Sequence, residues 1–255
     1  MDDAANTKKR KKRKKRRIVL ISVFSVLAIL IASCFIYLSI YQKGDETCDA
    51  ALESDTTVQV QQEKNGYFFD SPSQDNLILF YPGAKVDTKA YAPLLRQVAK
   101  QDADVYLFSM PFHMAFFGLN RANEVRKNNT YQHYYMAGHS LGAAMAGVYV
   151  ADHLDEYDGL IFLAGYPTKD LHHDGFSLLS IYGSNDMNVA SMQKNPQYRP
   201  DDYHEVVIAG GNHANFGNYG EQKGDGVATI SREEQQTETV TAISAFLDAK
   251  SKNAI

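Results

Sequence analysis

Short apolar runs alternate with segments of helical spacing along most of the chain. The apolar runs cover residues 77–81, 105–108, 134–137, 160–164, 178–182 and 206–209. Helical spacing of apolar residues is found at residues 88–101, 118–128, 141–153 and 231–250. Strands that are apolar on both faces are typical of a parallel sheet covered by helices on both sides. The pattern therefore predicts an α/β fold with a mostly parallel sheet.

Two shorter segments precede this alternating pattern. Residues 57–61 and 67–69 are β-type runs, and the intervening Asn65-Gly66 predicts a hairpin turn. Residues 42–56 are polar and acidic, which is typical of a juxtamembrane linker. We therefore expect residues 57–255 to form the folded domain.

The N-terminal region contains a candidate membrane anchor. Residues 18–41 are 24 residues without a charge, whereas a bilayer is spanned by about 20 apolar residues. Residues 8–17 are an unbroken run of ten basic residues, which predicts a cytoplasmic N-terminus. We expect residues 1–17 to be a cytoplasmic polybasic tail and residues 18–41 a single transmembrane helix in the cell membrane. The domain would then be extracellular.

Other interpretations of this region stay open. A cleaved signal peptide would have a shorter apolar region and a small-residue cleavage site. The sequence Ile31-Ala32-Ser33-Cys34 resembles a lipoprotein cleavage box, which would leave Cys34 lipidated, but residues 35–41 remain apolar and favour an uncleaved anchor. The basic run also resembles a nucleic-acid-binding patch. Beside a membrane span, orientation and attraction to anionic headgroups explain it more economically.

Charge and cysteine content restrict the partners of the remaining chain. Residues 18–255 contain 16 Lys and Arg against 28 Asp and Glu, a net charge of −12. This acidic balance argues against nucleic acid as a partner and against tight docking to anionic lipid. The two cysteines cannot cross-link the domain, and no Cys or His set has metal-ligand spacing. We expect no metal and no cofactor.

A candidate nucleophile lies in the sequence Gly138-His139-Ser140-Leu141-Gly142. An apolar run precedes this turn and a run of small residues follows it, which predicts a strand, a tight turn and a helix. Such a turn pushes the serine hydroxyl out of the sheet, and flanking glycines let the turn close. The N-terminus of the following helix favours a developing oxyanion.

A serine nucleophile needs a histidine base and a carboxylate that orients it. In chain order these should follow the serine as acid and then histidine, each after the end of a strand. Asp186 and His213 occupy those two positions. Asp186 is also placed to cap a helix near Asn188, and His213 to bond loop backbone. Asp170 and Asp174 are weaker candidates for the acid.

The other histidines near these positions are expected to be structural. His204, His172 and His173 precede a strand or lie in an exposed turn, which is typical of surface residues. His139 is adjacent to the candidate nucleophile, and we expect it to pack beneath the turn and not to act as the base.

The oxyanion hole needs two amide donors. The amide of Leu141 is one candidate, and the loop after the first buried strand supplies the other, from Ala84 or Lys85. Gly83 would let this loop approach a substrate, although Pro-Gly is also an ordinary end of a strand.

The loop after the second buried strand is rich in aromatic residues. Phe112, Phe116 and Phe117 are candidates for the wall of an acyl or aromatic substrate pocket. The same residues could belong to the core beneath the next helix, and both interpretations stay open.

Taken together, these motifs resemble the α/β-hydrolase superfamily, and within it the small, cap-less dienelactone-hydrolase-like branch. The resemblance covers residues 75–250 and rests on residues 80–87, 137–143 and 210–220. It implies Ser140 as nucleophile, His213 as base, Asp186 as acid and an acyl-enzyme intermediate. The branch typically has a cysteine nucleophile, so its substrate is not carried over to this serine. Many relatives have a second glycine where this chain has Ala84.

These observations predict a membrane-anchored, extracytoplasmic serine hydrolase of the carboxylesterase type. Its substrate would be a small-molecule or lipid-like ester or a related acyl compound. Two alternatives remain: an acyltransferase on a cell-envelope acceptor, and a non-catalytic binding module on a hydrolase fold.

Overall fold

The computed structural model describes residues 2–73, 75–101 and 103–253 and divides the chain into two units, residues 1–40 and 41–255. The first unit is helix α1, Asp2–Ser39. Its segment Arg13–Ser39 is long and apolar enough to cross a membrane, and the apolar side chains between residues 18 and 37 are exposed. A signal sequence near the N-terminus can pass the same test of length and composition, so α1 is a candidate for either.

The second unit is built on one eight-stranded sheet, in the order β1-β2-β4-β3-β5-β6-β7-β8. Its strands are β1 Gln59–Glu63, β2 Gly66–Asp70, β3 Asn76–Tyr81, β4 Asp104–Phe108, β5 His133–His139, β6 Gly159–Leu163, β7 Ser177–Gly183 and β8 Asp202–Ile208. Strand β2 pairs antiparallel with both β1 and β4, and all other pairs are parallel. The predicted mostly parallel sheet and its leading hairpin are confirmed.

Helices cover both faces of this sheet, as predicted. They are α2 Thr47–Ala50, α3 Ala92–Ala99, α4 Ala122–Asn128, α5 Leu141–Ala151, α6 Val189–Met192 and α7 Arg232–Asn253. Alternate residues of β3 belong to two separate cores: Leu77, Leu79 and Tyr81 pack with α4 and α5, whereas Ile78 and Phe80 pack with α3 and α7. Because both faces are covered, β3 has no polar face and reads as a continuous apolar run.

The last strand is longer than its apolar run predicted. We expected residues 206–209, but β8 begins four residues earlier, at Asp202. This strand lies at the edge of the sheet, and most of its side chains, including His204 and Glu205, are exposed. Edge strands are partly solvated, so their polar residues hide them from a search for apolar runs.

Residues 42–56, where we expected a linker, contain structure that contacts the rest of the second unit. Helix α2 lies within them, and Cys48 is fully buried. The amide of Gln42 donates to the carbonyl of Lys85 at 2.7 Å, and the amide of Asp45 donates to the carbonyl of Asn218 at 2.8 Å. These contacts are made by backbone groups with distant residues, so the polar composition of the segment does not reveal them.

Arg96 of α3 holds the end of the same segment. Its Nη1 donates to the carbonyls of Ala51 at 3.0 Å and Glu53 at 2.5 Å, and its Nη2 lies 2.7 Å from a carboxylate oxygen of Asp55. Arg96 is itself buried, whereas the side chain of Asp55 is 44% exposed. The two carbonyl contacts are therefore the better shielded part of this cluster.

We predict that Arg96→Leu lowers the free energy of unfolding by about 2–3 kcal/mol, because two carbonyls lose a buried charged donor. Asp55→Asn is the matched control and should have a smaller effect, since asparagine keeps an oxygen for the amides of Thr57 and Val58 and the charge that is lost is partly exposed. Urea unfolding of the full chain in mild detergent, followed by circular dichroism, measures both. Equal losses would assign the stabilisation to the ion pair instead.

Candidate active site

Ser140 is the single residue between strand β5 and helix α5. Its backbone has φ 55° and ψ −119°, a conformation that non-glycine residues rarely adopt. The amide of Ser140 donates to the carbonyl of Leu163 on β6 at 2.9 Å, and the residue is half-buried. A strained backbone of this kind persists only when the surrounding structure holds it, and it is common at functional sites.

Two glycines allow this turn to close. A Cβ on Gly142 would lie 2.1 Å from the carbonyl oxygen of Tyr81 and 2.4 Å from that of Pro82. A Cβ on Gly138 would lie 2.6 Å from the carbonyl carbon of Gly142. Neither position accepts a side chain without moving backbone. Glycine at these two positions therefore lets the turn close, and Gly142 lets α5 approach the end of β3.

Asp186 and His213 follow the ends of neighbouring strands β7 and β8. The Oδ2 atom of Asp186 lies 2.8 Å from Nδ1 of His213, and the two residues are 4% and 1% exposed. A carboxylate accepts, so Nδ1 carries the proton and Nε2 of the neutral ring is left as a proton acceptor. The Oδ1 atom of Asp186 accepts from the amide of Asn188 at 2.6 Å, so this carboxylate both caps a turn and orients the imidazole.

Asp225 joins the loops that carry these two residues, and the sequence analysis missed it. Its carboxylate accepts from the amides of His213 at 3.2 Å, Ala214 at 2.9 Å and Met187 at 3.2 Å. Asp225 lies in the long loop between β8 and α7, so no strand pattern marks it in the sequence. Asp225 is a positioning residue for both loops.

Gln235 of α7 binds Asn212, the residue before His213, and the sequence analysis also missed it. It is fully buried, with Oε1 accepting from the amide of Asn212 at 2.9 Å and Nε2 donating to the carbonyl of Asn212 at 2.8 Å. A signal was present in the sequence: Gln235 and Thr239 continue the buried face of Ile243 and Phe246 at helical spacing. A polar residue in that position indicates a buried hydrogen-bond partner.

His139 lies beneath the turn, as predicted, and connects three loops. It is 1% exposed, with Nε2 lying 3.1 Å from the carbonyl oxygen of His213 and Nδ1 lying 2.8 Å from Oη of Tyr91. A carbonyl only accepts, so Nε2 carries the proton and Nδ1 accepts from Tyr91. The same hydroxyl accepts from the amide of Gly83 at 3.0 Å. Every donor and acceptor of the neutral imidazole therefore has a partner.

Burial keeps this imidazole neutral. It lowers the pKa of His139 well below the usual range, and the neighbouring His213 lowers that pKa further. Burial also raises the pKa of Tyr91 well above its usual range, so the phenol stays protonated and can donate.

The candidate oxyanion donors differ in what they already bind. The amide of Lys85 donates to the carbonyl of His113 at 2.7 Å and the amide of Gly83 to Tyr91, so both are occupied. Within the described residues the amide of Ala84 has no such partner. The amide of Leu141 is the first of α5 and has no partner inside the helix. Leu141 and Ala84 are the donors left available.

The three candidate pocket residues lie on the surface. Phe112, Phe116 and Phe117 are 42%, 64% and 50% exposed, and their rings contact one another edge to face. They are not part of the core beneath α4. A role in binding substrate stays a prediction.

Of the two weaker acid candidates, Asp170 pairs with His172 at 2.6 Å and Asp174 is exposed in a turn. His204 pairs with Asp202 at 2.8 Å, and both are exposed. His173 pairs with Asp155 at 2.7 Å. Among the residues that the structure describes, no three His, Cys, Asp or Glu side chains form a group that could hold a metal ion.

The sequence model of a family, the alpha/beta hydrolase family, matches residues 77–237 of the chain. No curated protein sequence matches the chain. Among solved structures, TT1662 from Thermus thermophilus is similar, with a TM-score of 0.56 and 15% identity over 76% of this chain and 98% of that one.

Two further structures have the same architecture. Dienelactone hydrolase from Anabaena variabilis gives a TM-score of 0.54 at 15% identity, over 74% of this chain and 96% of that one. Monoacylglycerol lipase from Paleococcus ferrophilus gives 0.54 at 13% identity, over 76% and 100%. At these identities the likeness shows the fold alone.

We predict that Tyr91→Phe lowers the free energy of unfolding by about 1–3 kcal/mol, because the amide of Gly83 and Nδ1 of His139 both lose a buried partner. Tyr219→Phe is the matched control, since its hydroxyl makes one longer bond of 3.3 Å, to Gln222. Urea unfolding of the full chain in detergent compares the two. A loss that is no larger for Tyr91 would contradict the proposed hydrogen-bond chain.

A second prediction concerns pH. Because the pKa of His139 is lowered from 6.5, the unfolded chain binds more protons there than the folded protein once the pH falls below that value. Stability is then lost as the pH falls, by up to about 1.4 kcal/mol per pH unit. His139→Gln removes the titrating group and keeps a donor for His213. Its unfolding free energy should fall less steeply between pH 6.5 and pH 5, and parallel slopes would refute this role.

Proposed function

We propose that this chain, which belongs to the alpha/beta hydrolase family, is a serine hydrolase that cleaves an ester or related acyl bond. The observation that carries this proposal is the buried 2.8 Å contact of Asp186 with His213, which follow neighbouring strands. Ser140 lies on a strained turn at the same edge of the sheet. The proposed nucleophile, base and acid are Ser140, His213 and Asp186.

The chemistry proceeds through an acyl-enzyme. Oγ of Ser140 attacks the carbonyl carbon of the substrate while Nε2 of His213 takes its proton, and Asp186 holds the imidazolium through Nδ1. Collapse of the tetrahedral intermediate breaks the ester C–O bond, and His213 returns the proton to the leaving alcohol. Water then attacks the acyl-enzyme by the same route and releases the acid.

The proposed oxyanion hole consists of the amides of Leu141 and Ala84. The bond of the Lys85 amide to His113 counts against Lys85 as a donor. The contact of Gly142 with the carbonyls of Tyr81 and Pro82 supports this pair, since it brings the start of α5 close to the loop that carries Ala84. Donors placed in advance stabilise the negative charge that develops in the transition state.

An uncharged ester with an apolar acyl group is the substrate class that we propose. The net charge of −12 on residues 18–255 disfavours anionic substrates. The name of the Paleococcus structure, a monoacylglycerol lipase, supports a lipid-like ester, although only the fold is shared.

We also propose that α1 is an uncleaved membrane anchor. Ten basic residues precede its apolar part, which favours a cytoplasmic N-terminus and an extracellular domain. The proposal that α1 spans the membrane rests on its length and composition. Protease accessibility of residues 41–255 in intact cells tests on which side of the membrane the domain lies.

We expect a fluorophosphonate probe to label Ser140 in the full chain, because His213 activates its hydroxyl. Ser140→Ala should abolish labelling and lower kcat/KM on a short-chain ester by about 10⁴-fold or more. His213→Ala should have a similar effect, whereas Ser244→Ala on α7 should have none. Mapping the adduct by mass spectrometry identifies the residue. No adduct in a folded protein would reject the proposed mechanism and favour a binding module.

A further inference from the structure

Three exposed phenylalanines form a continuous apolar surface after strand β4. We call Phe112, Phe116 and Phe117 the aromatic surface. The ring centroids of Phe112 and Phe117 lie 5.6 Å apart and those of Phe116 and Phe117 5.5 Å apart, so the side chains pack on one another instead of into the core. A soluble surface seldom exposes a cluster of this kind unless it contacts something apolar.

The backbone of this loop holds the aromatic surface outward. Phe112 and His113 are consecutive non-glycine residues with φ of 55° and 53°. Non-glycine residues in this region are strained and persist where the surrounding structure imposes the shape. The bond between the Lys85 amide and the His113 carbonyl, at 2.7 Å, is one such constraint.

The chain enters the second unit at this same loop. Tyr41 is the first residue of that unit, and its ring stacks on His113 with centroids 3.8 Å apart and planes at 22°. The next residue, Gln42, bonds to the carbonyl of Lys85 at 2.7 Å and accepts from the amide of Asp87 at 2.8 Å. The first residues of the domain are therefore bound beside the aromatic surface.

Chain connectivity then limits where this surface can lie. Only Ile40 separates Ser39, the last residue of α1, from Tyr41. Two residue steps span at most about 7 Å, so Tyr41 lies close to the end of α1. If α1 spans the bilayer, Tyr41 is at the level of the headgroups, where tyrosine is enriched. His113 stacks on Tyr41 and directly follows Phe112, so the aromatic surface adjoins the residue at which the chain leaves α1.

We propose that the aromatic surface docks into the headgroup and acyl boundary of the bilayer that holds α1. This inference rests on the membrane anchoring proposed above. The occupant is zwitterionic phospholipid, because an acidic domain is not attracted to anionic headgroups and the three side chains that dock are uncharged. Aromatic side chains bury favourably at this depth.

Docking would deepen the proposed function, because the aromatic loop is bonded to the proposed oxyanion loop. The His113 carbonyl accepts from Lys85, the residue after Ala84. A lipid ester leaving the bilayer at the aromatic surface would therefore arrive beside the proposed oxyanion loop. The substrate class that follows is an ester-containing membrane lipid.

The chain contains no tryptophan, so one substitution introduces a unique fluorescent reporter. Phe116→Trp is placed in the full chain, which is reconstituted into phosphatidylcholine vesicles. Tyr203→Trp, near the start of β8 and so at the opposite end of the parallel strands from the loop after β4, is the matched control. Phe24→Trp, within the apolar part of α1, reports insertion of the anchor. Each is measured with and without phosphatidylcholine carrying a doxyl quencher near the headgroup or near the chain end.

We expect a blue-shifted emission for Phe116→Trp, quenched more by the label near the headgroup than by the label at the chain end. Tyr203→Trp should be unchanged. Quenching of Phe24→Trp without quenching of Phe116→Trp would overturn docking and keep the anchor. Equal quenching of Phe116→Trp and Tyr203→Trp would also overturn it, because contact would not be specific to this surface. Absence of quenching at Phe24→Trp would overturn both the anchor and the docking.

Fluorophosphonate labelling of Ser140 in the same vesicles separates this inference from the proposed chemistry. Labelling without quenching of Phe116→Trp means that the serine mechanism stands and the docking fails. Quenching without labelling means that the surface docks although the mechanism fails.

Discussion

The close approach of helix α5 to the end of strand β3 is the constraint on which the candidate site depends. Gly142 leaves no room for a side chain against the carbonyls of Tyr81 and Pro82. This contact sets the distance between the turn that carries Ser140 and the loop that carries Ala84. Because β3 and β5 are neighbouring parallel strands, the sheet itself brings the two elements to one edge. Strand β5 and helix α5 are joined through Ser140 alone, and the strained backbone of Ser140 is the consequence.

A second layer of buried hydrogen bonds makes that edge rigid. Tyr91 and His139 connect the loop after β3 to the carbonyl of His213, and Asp225 and Gln235 hold the His213 loop from other sides. Buried polar groups are costly unless every one has a partner, so such a network tolerates few alternative arrangements. The imidazole of the proposed base is thereby held in part by two groups that burial keeps neutral, His139, whose pKa it lowers, and Tyr91, whose pKa it raises.

The sequence predicted the sheet and the strand-end positions because those depend on local patterns. Strands buried on both faces are continuous apolar runs, and Asp186 and His213 follow the ends of two of them. Asp225 could not be found in this way, since its role depends on contacts between loops that are distant in sequence. The occupied amide of Lys85 was hidden for the same reason, because its partner lies on another loop. Residues 42–56 were expected to be a linker because they are polar and acidic. Their backbone contacts with the domain could not be foreseen, because composition does not record such contacts.

Residues 41–58 are bonded to the domain, so a membrane anchor at α1 would not be followed by a free linker. A flexible linker would let a domain sample every orientation above a membrane, whereas Gln42 and Asp45 are bonded to the domain within a few residues of α1. Arg96 holds the rest of the segment through two carbonyls. The proposed anchor would therefore be followed by bonded residues and not by a free linker. Tyr41 stacks on His113, which adjoins the loop proposed to bind the oxyanion, so the proposed anchoring and substrate access would involve the same few contacts.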